Sequence, residues 1–117
     1  FAMEKVREVV LFEDYFNEFV KSVPRKSRIK ILAFIDVLEY LDVIPSNYLK
    51  HIEGTSGLYE VRVDFANDAY RIFCFFDRGR IIVLLNGFHK KMQKTPRKEI
   101  QRALHLRKKY YERREEQ

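Results

Sequence analysis

The chain contains no tryptophan and a single cysteine, Cys74. One thiol cannot close an internal disulfide, so nothing implies a covalent staple or an oxidising compartment. Cys74 lies in the apolar run Ile72-Phe73-Cys74-Phe75-Phe76, which reads as a buried, inert thiol rather than a nucleophile. Only three prolines and four glycines punctuate the chain. They leave no low-complexity linker, no internal repeat and no Gly-rich phosphate loop. No apolar stretch approaches the roughly 20 residues that span a bilayer, and no signal-peptide pattern is present. The expectation is a cytoplasmic protein without a membrane partner. The three histidines, His51, His89 and His105, are scattered, and no carboxylate cluster has ligand spacing, so no metal and no cofactor is expected.

What the sequence does hold is apolar mass and positive charge. Its 117 residues suit one domain, read here as 1–117, with Phe1 and Ala2 ahead of Met3 as an expression remnant. Hydrophobic residues make up 46% and charged residues 34%, the balance of a well-solvated globule with an ordinary core. Ten Phe and seven Tyr make that core Phe-rich. Lys and Arg number 23 against 17 Asp and Glu, a net charge of +6. Such an excess suits a polyanionic partner, because Lys and Arg displace counterions condensed on phosphates. Solubility alone is the competing explanation.

Val6 to Phe12 is short and β-branched, and reads as a first strand. Asp14 to Val23 spaces Tyr15, Phe16, Phe19, Val20 and Val23 as one helical face, and Pro24 ends it. Arg25 to Leu41 is a second helix whose first turns carry Arg25, Lys26, Arg28 and Lys30, against the helix dipole. Val43 to Gly57 reads as loop. Three strands follow: Leu58–Phe65, Tyr70–Phe76 and Ile81–Phe88, with turns at Asn67-Asp68 and Arg78-Gly79. Thr95 is placed to cap a last helix with Pro96 at its first position. The charge-dense segment from Arg107 to Gln117 should end that helix, exposed and frayed. The fold class is α+β: an N-terminal strand and two helices packed on an antiparallel sheet, then a C-terminal helix.

Two-residue turns would pair Asp64 with Arg71, and Arg71 with Asn86. One sheet face then carries Tyr59, Val61, Val63, Phe65, Tyr70, Ile72, Cys74, Phe76, Ile81, Val83 and Leu85. The early helices should cover it. The other face has an apolar end, Phe73, Phe75, Ile82 and Leu84, for the last helix. Its polar end holds Arg62, Asp64, Arg71 and Asn86, with Arg62 diagonal to Arg71 and within reach of a shared anion. The last strand exits into His89-Lys90-Lys91-Met92-Gln93-Lys94. Arginines and lysines then converge near a helix N-terminus, a favourable place for phosphate. Plain ion pairing of Arg62 and Arg71 with Glu60 and Asp64 is the alternative.

Four stretches carry a resemblance. They are Gly57-Leu58-Tyr59-Glu60-Val61-Arg62, Tyr70-Arg71-Ile72, Leu84-Leu85-Asn86-Gly87-Phe88-His89-Lys90-Lys91, and Lys94-Thr95-Pro96 with Glu99-Ile100. Together they resemble the phage-derived Gp49-like branch of the HigB toxins, within the RelE/ParE superfamily. The resemblance covers almost the whole chain. It implies the toxin of a type II toxin–antitoxin system, an endoribonuclease that cuts translated mRNA in the ribosome. It also implies a cognate helix-turn-helix antitoxin as partner. The family's basic strand positions fall on Arg62 and Arg71, and its basic loop on Lys90, Lys91 and Lys94. Lys50 falls on a further basic position. Such enzymes often keep a late Tyr or His near the scissile phosphate, whereas Tyr110 and Tyr111 here read as ordinary helix residues.

Metal-independent RNA cleavage uses the ribose 2′-hydroxyl as nucleophile. Arginine suits the phosphorane, because its fork binds two phosphate oxygens and stays charged. Arg71 is the first candidate for that task and Arg62 the second. Lys90, Lys91, Lys94 and His89 are candidate proton-transfer groups. Lys50, Asn86, Phe88 and Arg97 are candidate RNA contacts, Phe88 by stacking a base; Tyr70 reads as core. Two other functions share these features. A ParE-like toxin would inhibit gyrase without cutting RNA, and a basic binding module would hold RNA or protein without catalysis. Antitoxin docking would use an exposed apolar or basic groove, with the Arg25–Lys30 helix as one option.

Overall fold

The computed structural model describes residues 3–116; Phe1, Ala2 and Gln117, with the expected remnant, lie outside them. The strands are β1 (Glu8–Leu11), β2 (Leu49–His51), β3 (Leu58–Phe65), β4 (Asp68–Asp77) and β5 (Ile81–Lys90). The helices are α1 (Tyr15–Ser22), α2 (Arg25–Leu38) and α3 (Arg97–Glu115). One sheet forms in the order β1-β5-β4-β3-β2. Its β2-β3-β4-β5 part is antiparallel, while β1 runs parallel to β5. The sheet is therefore mixed, and β2 is a short edge strand where the sequence read as loop. No Val/Ile run announces β2. It forms because Lys50 and its neighbours pair with Glu60 and the rest of β3.

Helices cover both faces. Phe16, Phe19 and Val20 of α1 and Ile31, Ile35 and Leu38 of α2 pack on Val61, Val63, Tyr70, Ile72, Cys74, Ile82 and Leu84. Ala103 and Leu106 of α3 pack on Leu58, Phe73, Phe75, Val83, Leu85 and Phe88, making a third layer. Buried apolar surface of this kind contributes roughly 25 cal/mol per Å², and these two cores hold the sheet. Cys74 is buried as expected, and burial pushes its thiol well above the ordinary range.

Both hairpins differ in register from the two-residue turns drawn on the sequence. The first turn is Ala66-Asn67, both left-handed at φ 53° and 68°, with Phe65 opposite Asp68. This is a two-residue slip. It leaves every side chain on its expected face but sets Arg62, not Asp64, opposite Arg71. The second hairpin pairs Asp77 with Ile81 around Arg78-Gly79-Arg80. This one-residue shift turns Ile82 and Leu84 toward α1 and α2, and Val83 and Leu85 toward α3, the reverse of the expectation. A bulge then sets Leu85 and Asn86 against Phe73, so Arg71 faces Phe88 rather than Asn86. Beyond it β5 continues through His89 and Lys90, which are strand residues rather than exit loop.

Two contacts tie the outer elements down. Arg7 donates to the carbonyls of Leu38 (2.6 Å) and Asp42 (3.0 Å), closing the C-terminal end of α2 over β1. At the other end, buried Asp77 accepts from Tyr110 Oη and Arg114 Nη1, each at 2.6 Å. Hydrogen bonding from Arg114, then Tyr110, holds the Asp77 carboxyl below the usual carboxylate range against its burial.

Two stability predictions follow from these contacts. A Cβ on Gly87 would lie 2.5 Å from Phe19 Cδ2. Gly87→Ala should cost about 1–3 kcal/mol in urea unfolding, and Gly87→Ala/Phe19→Leu should recover part of the loss. The second concerns acid. Because Asp77's folded pKa is lowered, its contribution is present at neutral pH and is lost as pH falls through that lowered value. Unfolding midpoints of Asp77→Asn should therefore be lower at pH 7 and fall less steeply on acidification than those of the wild type.

Candidate functional site

The α3 face of the sheet is longer than α3 can cover. The helix starts only at Arg97, so the β2-β3-β4-β5 end of this face stays open. Alternation puts Lys50, Glu60, Arg62, Arg71 and Lys90 on that end. Lys50 stands opposite Glu60, Arg62 opposite Arg71, and Lys90 opposite Ala69 on the next rung. A cleft of about 460 Å³ opens there, lined among others by Lys50, Glu60, Arg62, Lys90, Lys94 and Thr95.

Glu60 is the buried carboxylate among these cations, 5% exposed. It accepts a hydrogen bond from Thr95 Oγ1 at 3.1 Å. Thr95 therefore does not cap α3. The N-cap is Pro96, without a side-chain cap, and the Thr95 hydroxyl instead ties the Lys94-Thr95-Pro96 segment to β3. Sequence reasoning weighed Glu60 only as an ion-pair partner. Its shared face with Arg62 was legible from alternation; its burial under the loop was not.

Of the two arginines, Arg62 is the available one. It is half-buried and lines the cleft, and its Nε, shielded from solvent, has no hydrogen-bond partner. Arg71 is 3% exposed, and its Nη1 is engaged by Asp64 Oδ1 at 2.8 Å and the Tyr70 carbonyl at 2.9 Å. The ion pair weighed as an alternative for Arg71 is thus formed. Arg71 does not line the cleft, but its charge reaches Lys90.

Lys90 shows that effect. Its pKa is lowered, first by burial and then by Arg71, with Arg62 and Lys50 adding to the fall and Glu60 opposing it. Positive neighbours and partial burial both penalise its charged form.

The remaining candidates disperse. His89 points to the other face, paired with Asp68 at 2.8 Å and packed against Tyr70. Lys91 and Arg97 are exposed and do not line the cleft. Phe88 is core, stacked on Phe73 at 5.6 Å, so its ring is not a free platform for a base. Asn86 is buried in the bulge with both side-chain polar atoms unpartnered, beside a second cleft next to α1. Tyr70 is core, its hydroxyl donating to Ser27. Tyr110 binds Asp77 at the far end of α3, away from the cleft. Among the described residues no group of three His, Cys, Asp or Glu is placed to hold a metal ion, and no helix is long and apolar enough to cross a membrane.

A chain of the archaeal RelE–RelB complex from Pyrococcus horikoshii OT3 superposes with a TM-score of 0.54 and 21% identity, over 74% of this chain and 97% of that one. A chain of the RelB–RelE antitoxin–toxin complex from Methanococcus jannaschii gives 0.55 and 23%, over 74% and 99%. At these identities the likeness is one of fold. No curated protein matches the chain. The chain belongs to the phage-derived Gp49-like family, whose model matches residues 18–108.

The crowding at Lys90 is measurable. In an NMR titration, Lys90 should lose its proton below the ordinary lysine range. Arg62→Ala should move that value back up, and Glu60→Gln should lower it further. A Lys90 that titrates normally and ignores both changes would mean the cations do not converge in solution.

Proposed function

We propose that the protein is the toxin of a type II toxin–antitoxin pair, a metal-independent endoribonuclease acting on translated mRNA. The observation that carries this reading is the cleft itself. Lys50, Arg62, Lys90 and Lys94 surround the buried carboxylate of Glu60. Family membership and a fold shared with chains of RelE–RelB antitoxin–toxin complexes support it. On this reading the partners are a cognate helix-turn-helix antitoxin, mRNA and the ribosome, met in the cytoplasm.

On this reading the residues lining the cleft divide the work of phosphodiester cleavage among them. The ribose 2′-hydroxyl attacks phosphorus and the bond to the 5′-oxygen breaks, leaving a 2′,3′-cyclic phosphate. Glu60 is the group that takes the 2′-hydroxyl proton. Arg62, fixed in charge and lining the cleft, faces the equatorial oxygens of the phosphorane. Lys90, whose proton is held less tightly than usual, supplies one to the departing 5′-oxygen. Lys50 and Lys94 bind flanking phosphates, and Arg71 keeps Lys90 labile.

The test is induced expression in a bacterium, with new 5′ ends mapped on translated messages. Wild type should arrest growth and create such ends. Arg62→Ala should lower cleavage by about 10²–10³-fold, the usual loss for one preorganised transition-state contact. Glu60→Gln should lower it while leaving RNA affinity intact. Growth arrest without new ends, unchanged in Arg62→Ala, would replace this reading by gyrase inhibition; no arrest at all would leave a basic binding module.

A further inference from the structure

Helix α2 buries one face and leaves the other without a partner. Ser27, Ile31, Ile35 and Leu38 are buried against the sheet layer. On the outer side Ile29 is 56% exposed, Leu32 42% and Val37 43%, with Ala33 exposed between them. These positions recur at helical spacing and form an apolar stripe along the helix, interrupted near its far end by exposed Asp36.

Charge on this helix is equally one-sided. Its sequence, RKSRIKILAFIDVL, has four cations in the first half and one acid, Asp36, near the far end. The first turn contains no acidic residue, and Pro24 at the N-cap supplies no side-chain hydrogen bond. Cations in the first turn of a helix are disfavoured by its positively polarised end. One of them is explained within the fold. Arg28 turns back to the C-terminal carbonyls of α1, with Nε donating to Val20 O at 2.8 Å and Nη2 to Val23 O at 3.3 Å. Arg25, Lys26 and Lys30 have no hydrogen-bond or ion-pair partner among the described residues, and all three are exposed. Unpaired cations therefore flank an unpartnered apolar stripe.

We propose that the outer face of α2 docks an amphipathic segment of a partner protein, one whose apolar stripe is bordered by Asp and Glu. Ile29, Leu32 and Val37 supply the apolar contact. Arg25, Lys26 and Lys30 meet the acidic border and relieve the mismatch with the helix end. Asp36 fixes polarity, because acidic groups suit the N-terminal half of α2 and are repelled at its C-terminal half. The face lies across the sheet from the basic cleft, so both are open at once. The inference does not depend on RNA cleavage.

The probe is a synthetic amphipathic helix with a Leu stripe bordered by Glu, beside a counterpart with Lys in place of Glu. Titrated into the isotope-labelled full chain, the Glu peptide should shift the amide signals of Ile29, Leu32, Ala33 and Val37. The Lys peptide should not. The Ile29→Glu/Leu32→Glu variant, altered only at exposed positions, should keep the wild-type Tm and bind the Glu peptide at least about tenfold more weakly. Raising the salt should weaken binding further. Equal binding of both peptides, shifts confined to another surface, or no shift would overturn the proposal. So would α2 shifts produced instead by single-stranded RNA or by phosphatidylserine vesicles. A concentration-dependent dimer that the same variant dissolves would assign the face to a second copy of the chain. RNA cleavage by the variant, measured alongside, should match wild type, so a failure of the nuclease reading shows itself separately.

Discussion

Mutual repulsion among cations at one end of a sheet is the constraint that the rest of the structure contains. Arg62 and Arg71 face each other across β3 and β4, an arrangement that is unfavourable on its own. Lys50 and Lys90 stand on neighbouring strands of the same face. Two carboxylates are interleaved with them, Asp64 on Arg71 and Glu60 under Thr95. Neither neutralises the group, and Lys90 still registers the excess. The strands stay together because one apolar core lies directly behind the cations, through Val61, Val63, Tyr70 and Ile72, and the other holds the far end of their own face under α3. Apolar burial behind and beside the cations thus sustains the electrostatic strain among them.

That division of labour depends on β5. Its first half feeds both cores, Ile82 and Leu84 on one side and Val83 and Leu85 on the other. Without the bulge at Leu85-Asn86, strict alternation would send Phe88 and Lys90 to the α1 face, away from Arg62. The unpartnered Asn86 amide sits where the strand changes phase.

Much of this was legible in the residues. Helical spacing placed α1 and α2 within a few positions, and clean alternation placed β3 residue for residue. The partition of helices between the two faces was also readable, as was the gathering of Arg62, Lys90 and Lys94, whereas Lys50, in a stretch that read as loop, entered only through the resemblance. Register was not legible. Ala66 takes a left-handed turn position that Asn and Gly normally advertise, and a bulge carries no periodic signal. These two features changed the partners of Arg71. The residue ranked first on the sequence became a buried, ion-paired neighbour, and half-buried Arg62 is the arginine that lines the cleft. Thr95 was ambiguous in the same way, since a hydroxyl before Pro96 reads as a cap until a distant strand claims it.

The parallel pairing of β1 with β5 bears on how the molecule comes to be assembled. Glu8 and Ile81, far apart along the chain, lie side by side, whereas β3, β4 and β5 are joined by tight turns. Closing the long loop costs more entropy than closing either hairpin. The meander can therefore form early, while β1, synthesised before it, must wait for β5 before it can pair. During synthesis α1 and α2 emerge with their apolar faces uncovered and wait for the sheet they will pack against. The nascent chain thus passes through an interval in which its own second half is the only shelter for its first, and any factor that binds α1 or α2 in that interval competes directly with folding.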